Sequence, residues 1–414
     1  MKKTISLVLL LSLLLCGCSG SEERSWLTGQ KALAEEDYAA ASAAFEKAGS
    51  FRDSEQLLLY AQAWQNLENG EYAQADTKYL ALGDFKDSVL MDRYCRARER
   101  EAQMQAAVSS DGYDLAVSAG REAYALFTGL SLFRDSSARA ADVRDGLYSC
   151  SLEWMGAGRY EAAASGFEAL GDWKDCDGLE KYCRASALEA ESDYIEAAAQ
   201  FAAIPEVLDA TARAEAALEQ AYLLAAERKD RGDYGGAAEM FALLGSYRDA
   251  EAQRESSTVL LLRTLLRSGS YAEALRQFSL LEDTSVFPAA DPTAGNQQAF
   301  LIGFLNSWMN AHAGVMSSFF SCDLMTPYLI PGGELDSQIR AELTDDSAPR
   351  NYAFLFYGAE VTELLALDEG FNVGKVSGTA SHIEPEGRVD TEETLWVLLD
   401  ITGGNPAAAA VLPA

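Results

Sequence analysis

The chain has 414 residues, 64 acidic against 33 basic, for a formal charge of −31, and only two histidines. A field of that sign disfavours binding to phosphate backbones or anionic headgroups. Histidine-poor composition speaks against histidine-based zinc sites and against Ser-His-Asp or Cys-His catalysis.

The start reads Lys2-Lys3, an apolar run from Ile5 to Leu15, then Leu15-Cys16-Gly17-Cys18 and a polar stretch from Ser19 to Arg24. A charged beginning, a short greasy run and small residues before a cut site describe an export signal, and a bilayer span needs about 20 residues. The Leu-x-Gly-Cys ending resembles a bacterial lipobox, which implies lipidation of Cys18 as the first residue of the exported chain. An ordinary signal peptide or a short anchor is the alternative. The expected division is a signal over 1–17, a lipidated tether over 18–24, and an attachment to the outer face of the cell membrane, or to a periplasmic leaflet, through acyl chains only. Loss of Lys2 and Lys3 takes the charge from −31 to −33.

From about residue 25 one phrase recurs: a tyrosine, an alanine three later, an aromatic seven later, then aromatic-basic-Asp. It reads Tyr38, Ala41, Phe45, Phe51-Arg52-Asp53; then Tyr72, Ala75, Tyr79, Phe85-Lys86-Asp87; then Tyr160, Ala163, Phe167, Trp173-Lys174-Asp175; and Tyr234, Ala237, Phe241, Tyr247-Arg248-Asp249. Positions i, i+3 and i+7 share one helical stripe, so these side chains face the same neighbour, and the alanine lets helices approach closely. Six residues separate the aromatic from the next one, as in Phe45 to Phe51, a link that holds Gly49, Gly83, Gly171 or Gly245. Glycine there suits a left-handed residue closing a helix, and Asp53, Asp87, Asp135, Asp175 and Asp249 are expected to cap the next one. Each unit is then two antiparallel helices that bury an apolar face only by stacking on the next unit.

Three units depart from the pattern. Tyr113 is followed by Gly120 where an aromatic belongs, but Ala123, Phe127 and Phe133-Arg134-Asp135 restore the right-hand half. Tyr113 to Phe133 is 20 residues where the others show 13, and an excess of 7 predicts a second helix two turns longer. The fifth unit keeps Tyr194, Ala197 and Phe201 but ends in Val207-Leu208-Asp209; the last keeps Tyr271, Ala274 and Phe278 and then stops.

Gly-x-Tyr-x-x-Ala-x-x-x-aromatic resembles the second-helix half of a tetratricopeptide repeat, with aromatic-basic-Asp where that family has proline. The resemblance implies a mainly α, right-handed solenoid of helical hairpins over 25–287, of the kind found in bacterial surface lipoproteins, with a groove that binds protein. Cysteines 95, 150, 176, 183 and 322 remain after the lipobox region. Cys95 and Cys183 occupy matching places in Tyr94-Cys95-Arg96-Ala97 and Tyr182-Cys183-Arg184-Ala185, which predicts buried thiols, with Cys176–Cys183 the least implausible bridge.

Pro288, Pro292 and Gly295 mark a linker over 288–295. Beyond it, 296–414 predicts a long helix from Asn296 to Phe320, a short one around Leu335 to Leu343, and strands over Tyr352–Leu367, Phe371–His382, Thr394–Thr402 and Pro406–Leu412. Long helix plus a mostly antiparallel meander resembles the cone-shaped α+β fold of nuclear transport factor 2, in topology rather than motif. In a cone of that kind an enclosed cavity lined with polar residues implies a ligand site, whereas packing by Trp308, Phe319 and Trp396 excludes one, and the chain's only histidines are His312 and His382. No phosphate-cradling loop, dinucleotide fingerprint or calcium loop occurs, and no spacing singles out a carboxylate pair. The sequence thus predicts no catalytic site, no cofactor and no metal. It predicts a protein-interaction scaffold or, alternatively, a stalk carrying a cone that binds a small molecule or cell-wall glycan.

Overall fold

The computed structural model describes residues 20–312, 324–344, 355–384 and 387–414. The expected signal segment, Cys18, Phe319 and Cys322 lie outside them. The chain divides into two compact units, Met1–Ala217 and Leu218–Ala414.

In the first unit, α1 (residues 20–34) is followed by α2 (Tyr38–Ala48), α3 (Ser54–Glu68), α4 (Tyr72–Leu82), α5 (Ser88–Ser109), α6 (Tyr113–Leu130), α7 (Ser136–Gly156), α8 (Tyr160–Leu170), α9 (Cys176–Ala190) and α10 (Tyr194–Ala202). Each helix packs against the next in sequence, so every repeat tyrosine opens the second helix of a hairpin. The lengthened repeat behaves as its spacing predicts: α6 has 18 residues where α4 and α8 have 11.

Burial separates the members of the stripe. Ala41, Ala75, Ala123, Ala163, Ala197, Phe45, Tyr79, Phe127, Phe167 and Phe201 are wholly inside, whereas only Tyr38 among the leading tyrosines is buried and Tyr72, Tyr160 and Tyr194 are half-buried. Tyr79 stands where the other repeats have phenylalanine, and its hydroxyl is buried with no hydrogen-bond partner among the described residues. Burial also pushes its pKa up. An orphaned buried hydroxyl costs about 1–3 kcal/mol, so Tyr79→Phe is expected to stabilise the chain by about 1 kcal/mol or more. Urea unfolding of the two proteins measures it; an unchanged midpoint contradicts it.

The helix ends correct the sequence expectation. Asp53, Asp87, Asp135 and Asp175 occupy N-cap positions but make no side-chain cap bond. Carboxylate capping falls instead to the aspartates before the repeat tyrosines, with Asp37 accepting from the Ala40 N–H at 2.9 Å and Asp193 from the Glu196 N–H at 3.5 Å. The glycine of the six-residue link is not left-handed helical either. Gly83 sits at φ 55°, ψ −124°, the first corner of a type II′ turn, where a side chain is strained. Ser131 holds the same corner in the lengthened repeat, at φ 53°, ψ −117°.

In the second unit α11 (Ala210–Asp230), most of whose length falls here, leads to α12 (Tyr234–Leu244), α13 (Ala250–Ser268) and α14 (Tyr271–Ser279), with Ala237, Phe241, Ala274 and Phe278 buried and Tyr234 and Tyr271 half-buried. Asp233 caps α12 on the Gly236 N–H at 3.0 Å, whereas Asp249, at the N-cap of α13, again makes no side-chain cap bond. Then come α15 (Gln297–His312), α16 (Glu334–Thr344) and an antiparallel meander of β1 (Leu355–Asp368), β2 (Phe371–Glu384), β3 (Gly387–Asp400) and β4 (Ala407–Pro413), in the order β1-β2-β3-β4. Residues 313–320 of the expected long helix lie outside the described residues.

Both faces of the sheet are covered, as an unbroken apolar strand requires. Leu395, Val397 and Leu399 of β3 pack toward α15 and α16 with Leu301, Phe304 and Ile339. The alternate residues Trp396 and Leu398 pack toward α13 and α14 with Leu262, Leu266 and Phe278. Trp308 and Trp396 both pack into apolar cores, on opposite faces of the sheet. Gly374 lets α15 cross β2 closely, because a Cβ there would lie 2.3 Å from a Leu301 methyl. The start of the proline-rich span is tied down too: the Ala290 N–H donates to the Leu364 carbonyl and the Ala366 N–H to the Pro288 carbonyl, each at 2.9 Å.

Candidate functional site

The aromatic-basic-Asp triplet, expected from the sequence to cap a helix, is a clasp on an aromatic ring of the first helix of its own hairpin. In the second hairpin Tyr60 of α3 donates to Asp87 at 2.7 Å, meets Phe85 edge-on at 6.3 Å, and carries the Lys86 ammonium 5.6 Å from its ring centre. Tyr148 does the same with Asp175 at 2.7 Å, Trp173 at 5.3 Å and Lys174 at 4.3 Å. Tyr94 pairs with Asp135 at 2.6 Å, Tyr222 with Asp249 at 2.6 Å, and Trp26 with Asp53 at 2.8 Å through its indole N–H.

All three members grip the ring because the middle residue is left-handed, as at Lys86 (φ 52°) and Lys174 (φ 53°), which turns the chain sharply over it. The fifth repeat keeps the Tyr182–Asp209 bond at 2.5 Å but has Leu208 in the middle. There Arg213 supplies the cation, 5.1 Å over the Tyr182 ring. In the fourth repeat the hydrogen bond to Asp175 pushes the Tyr148 hydroxyl up to about 12. At Asp135 burial is outweighed by the Tyr94 hydrogen bond and by Arg139, so its carboxyl falls below the usual range.

Cys95, Cys176 and Cys183 are buried free thiols and Cys150 is a half-buried one, so the Cys176–Cys183 bridge does not form. Burial raises Cys95 and Cys183 to about 12, well above the range of a reactive thiolate. Among the described residues no group of His, Cys, Asp and Glu is placed to hold a metal ion. His312 and His382 fall at the end of α15 and on β2.

Two features do not belong to the clasps. The first is an open groove of about 330 Å³ where α6, the α7–α8 link and the end of α9 meet, lined by Tyr113, Arg159, Tyr160, Glu161, Ala187 and Glu191. It adjoins a second, of about 590 Å³, that shares Tyr113 and Glu161 and adds Asp111 and Asp114. Tyr113, at the start of the lengthened α6, lines both hollows together with Glu161 of α8. No sequence spacing reveals this groove, since it depends on which side chains are too short to fill it.

The second feature is the pair Asp76 and Asp92, both bonded to Arg96, at 3.2 Å and 2.5 Å. Burial first, then the hydrogen bond and charge of Asp92, raises the Asp76 carboxyl to about 6. At Asp92 burial is outweighed by hydrogen bonds from Asp76 and Arg96, and its carboxyl is lowered. Folded Asp76 keeps a proton that the unfolded chain releases near its ordinary value of 3.8, so its contribution to stability declines as pH rises from about 4 through about 6. Asp76→Asn is expected to flatten the pH dependence of the urea midpoint across that window, and an unaltered slope contradicts this.

Compared with known proteins, the chain matches no family, no curated protein and no solved structure.

Proposed function

We propose that this chain is a non-catalytic lipoprotein of the cell envelope whose helical hairpins form a scaffold for protein partners. The observation that carries the proposal is a division of labour within each repeat. Recurring residues, the alanine, the aromatic and the triplet, join one helix to the next, while residues that change from repeat to repeat cover the faces left to solvent. A stack of that kind offers a long surface that differs at every step, which suits a partner-binding module better than a single reaction centre. The apolar side chains filling the space between α15 and the sheet speak against the alternative in which that part is a ligand pocket.

Export and anchoring are proposed from Lys2-Lys3, the apolar run and the Leu15–Cys18 ending. No helix of the described residues is long and apolar enough to cross a membrane; the attachment proposed is through acyl chains on Cys18. Labelling of cells with an alkyne fatty acid tests it. Wild type is expected to take up label and stay with membranes, whereas Cys18→Ser takes up none; equal labelling of the two overturns the lipid anchor.

A further inference from the structure

We infer that the groove at the start of α8 docks an arginine- or lysine-bearing segment of a partner protein, an inference that rests on the scaffold function proposed above. The chain itself shows what such a site takes. In the second repeat Arg98 lies 5.0 Å over the Tyr72 ring and donates from Nη2 to its hydroxyl at 2.7 Å. In the first, Trp64 stacks on Tyr38 at 5.0 Å, and in the third Trp154 meets Tyr113 edge-on at 5.2 Å. The fourth repeat follows the second through Tyr182-Cys183-Arg184-Ala185 and then departs, with Ser186 where Arg98 stands. Ser186 is buried and its hydroxyl donates to the Tyr182 carbonyl at 2.8 Å, while Ala187 and Ala190 behind it line the groove. Tyr160 is thereby left half-buried, with no cation or ring over it among the described residues.

Charge around this ring agrees. Asp111, Asp114, Glu161 and Glu191 line the two adjoining hollows against the single cation Arg159, and none of the four carboxylates is ion-paired among the described residues. A guanidinium entering the groove takes over Tyr160 the place Arg98 takes over Tyr72, between Glu161 and Glu191. The charge of −31 steers a cationic segment toward the chain, and the ring and carboxylates fix where it stops.

The test is fluorescence anisotropy of the mature chain with a fluorescein-labelled Gly-Arg-Gly-Lys-Gly amide at about 150 mM salt, where long-range attraction is screened. Saturable binding is expected, weakened about tenfold by Tyr160→Ser, as for loss of a cation–π contact, and similarly by Glu161→Gln with Glu191→Gln. Glu46→Gln with Glu55→Gln removes the same charge from exposed positions elsewhere and is expected to change affinity less than about twofold. Absence of saturable binding, or equal weakening by the two glutamate pairs, overturns the inference. Either result, together with a partner still captured in envelopes by the intact array, sinks the groove and leaves the scaffold standing.

Discussion

Replacing Phe167 by alanine is expected to lower the unfolding free energy by about 3–5 kcal/mol, as for a fully buried aromatic in a core that cannot collapse. Phe167 is wholly inside and meets Tyr148 of α7 edge-on at 5.9 Å. Tyr148 is itself held by Trp173, Lys174 and Asp175, so the helices around the cavity are fixed by contacts the mutation leaves in place. In a stacked array each repeat touches only its neighbours, so damage stays local. Urea unfolding gives the total loss, and hydrogen exchange gives its place. Amides of α7, α8 and α9 should exchange much faster while those of α2 and α3 barely change. A loss below about 1 kcal/mol, the level of an ordinary surface change, contradicts the packing described.

The second large effect is expected at the clasp. Asp87→Ala leaves the Tyr60 hydroxyl, most of its ring already buried, without an acceptor, and a hydrogen bond to a charged group contributes about 1.5–3 kcal/mol. Tyr60→Phe removes the donor and should cost a similar amount; the double replacement should cost little more than Asp87→Ala alone. A coupling of about 1 kcal/mol or more in this cycle is expected for groups bonded at 2.7 Å. Additive losses would mean that the triplet merely sits beside the ring.

How far the sequence discloses this architecture follows from how local each contact is. The tyrosine, alanine and aromatic stripe is an i, i+3, i+7 pattern, and it reads directly as paired helices. Seven extra residues between Tyr113 and Phe133 likewise read as two added turns. The work of the triplet was not legible, because its partner lies 27 residues upstream in the ordinary repeats, and 41 upstream where α5 and α6 are each seven residues longer than their counterparts. Asp87 and its kin looked like caps because they do stand at N-cap positions. The one signal for the clasp in the sequence is the recurrence of rings at Trp26, Tyr60, Tyr94, Tyr148, Tyr182 and Tyr222, and in Tyr94-Cys95 and Tyr182-Cys183 it stands beside a cysteine that recurs as well.

In the C-terminal part the strands were legible, but which face each residue meets was not. Trp396 sits in a run apolar on both sides, where alternation carries no direction. β3 starts at Gly387 rather than at the expected Thr394, because the mostly polar stretch from Gly387 to Glu393 extends the β2–β3 hairpin. Beside Tyr160, the exchange of Arg98 for Ser186 matters only once the helices are stacked, so the groove had no signal in a single repeat.

The central claim, that the folded array is what holds a protein partner at the envelope, is tested most directly by chemical crosslinking in intact cells, followed by purification of the chain from membranes. Wild type and the Glu46→Gln, Glu55→Gln control should capture the same partner, and Phe167→Ala, lipidated alike but loosened in its repeats, should lose it. Capture of no protein by wild type, or undiminished capture by Phe167→Ala once its repeats are shown to be open, would contradict the account.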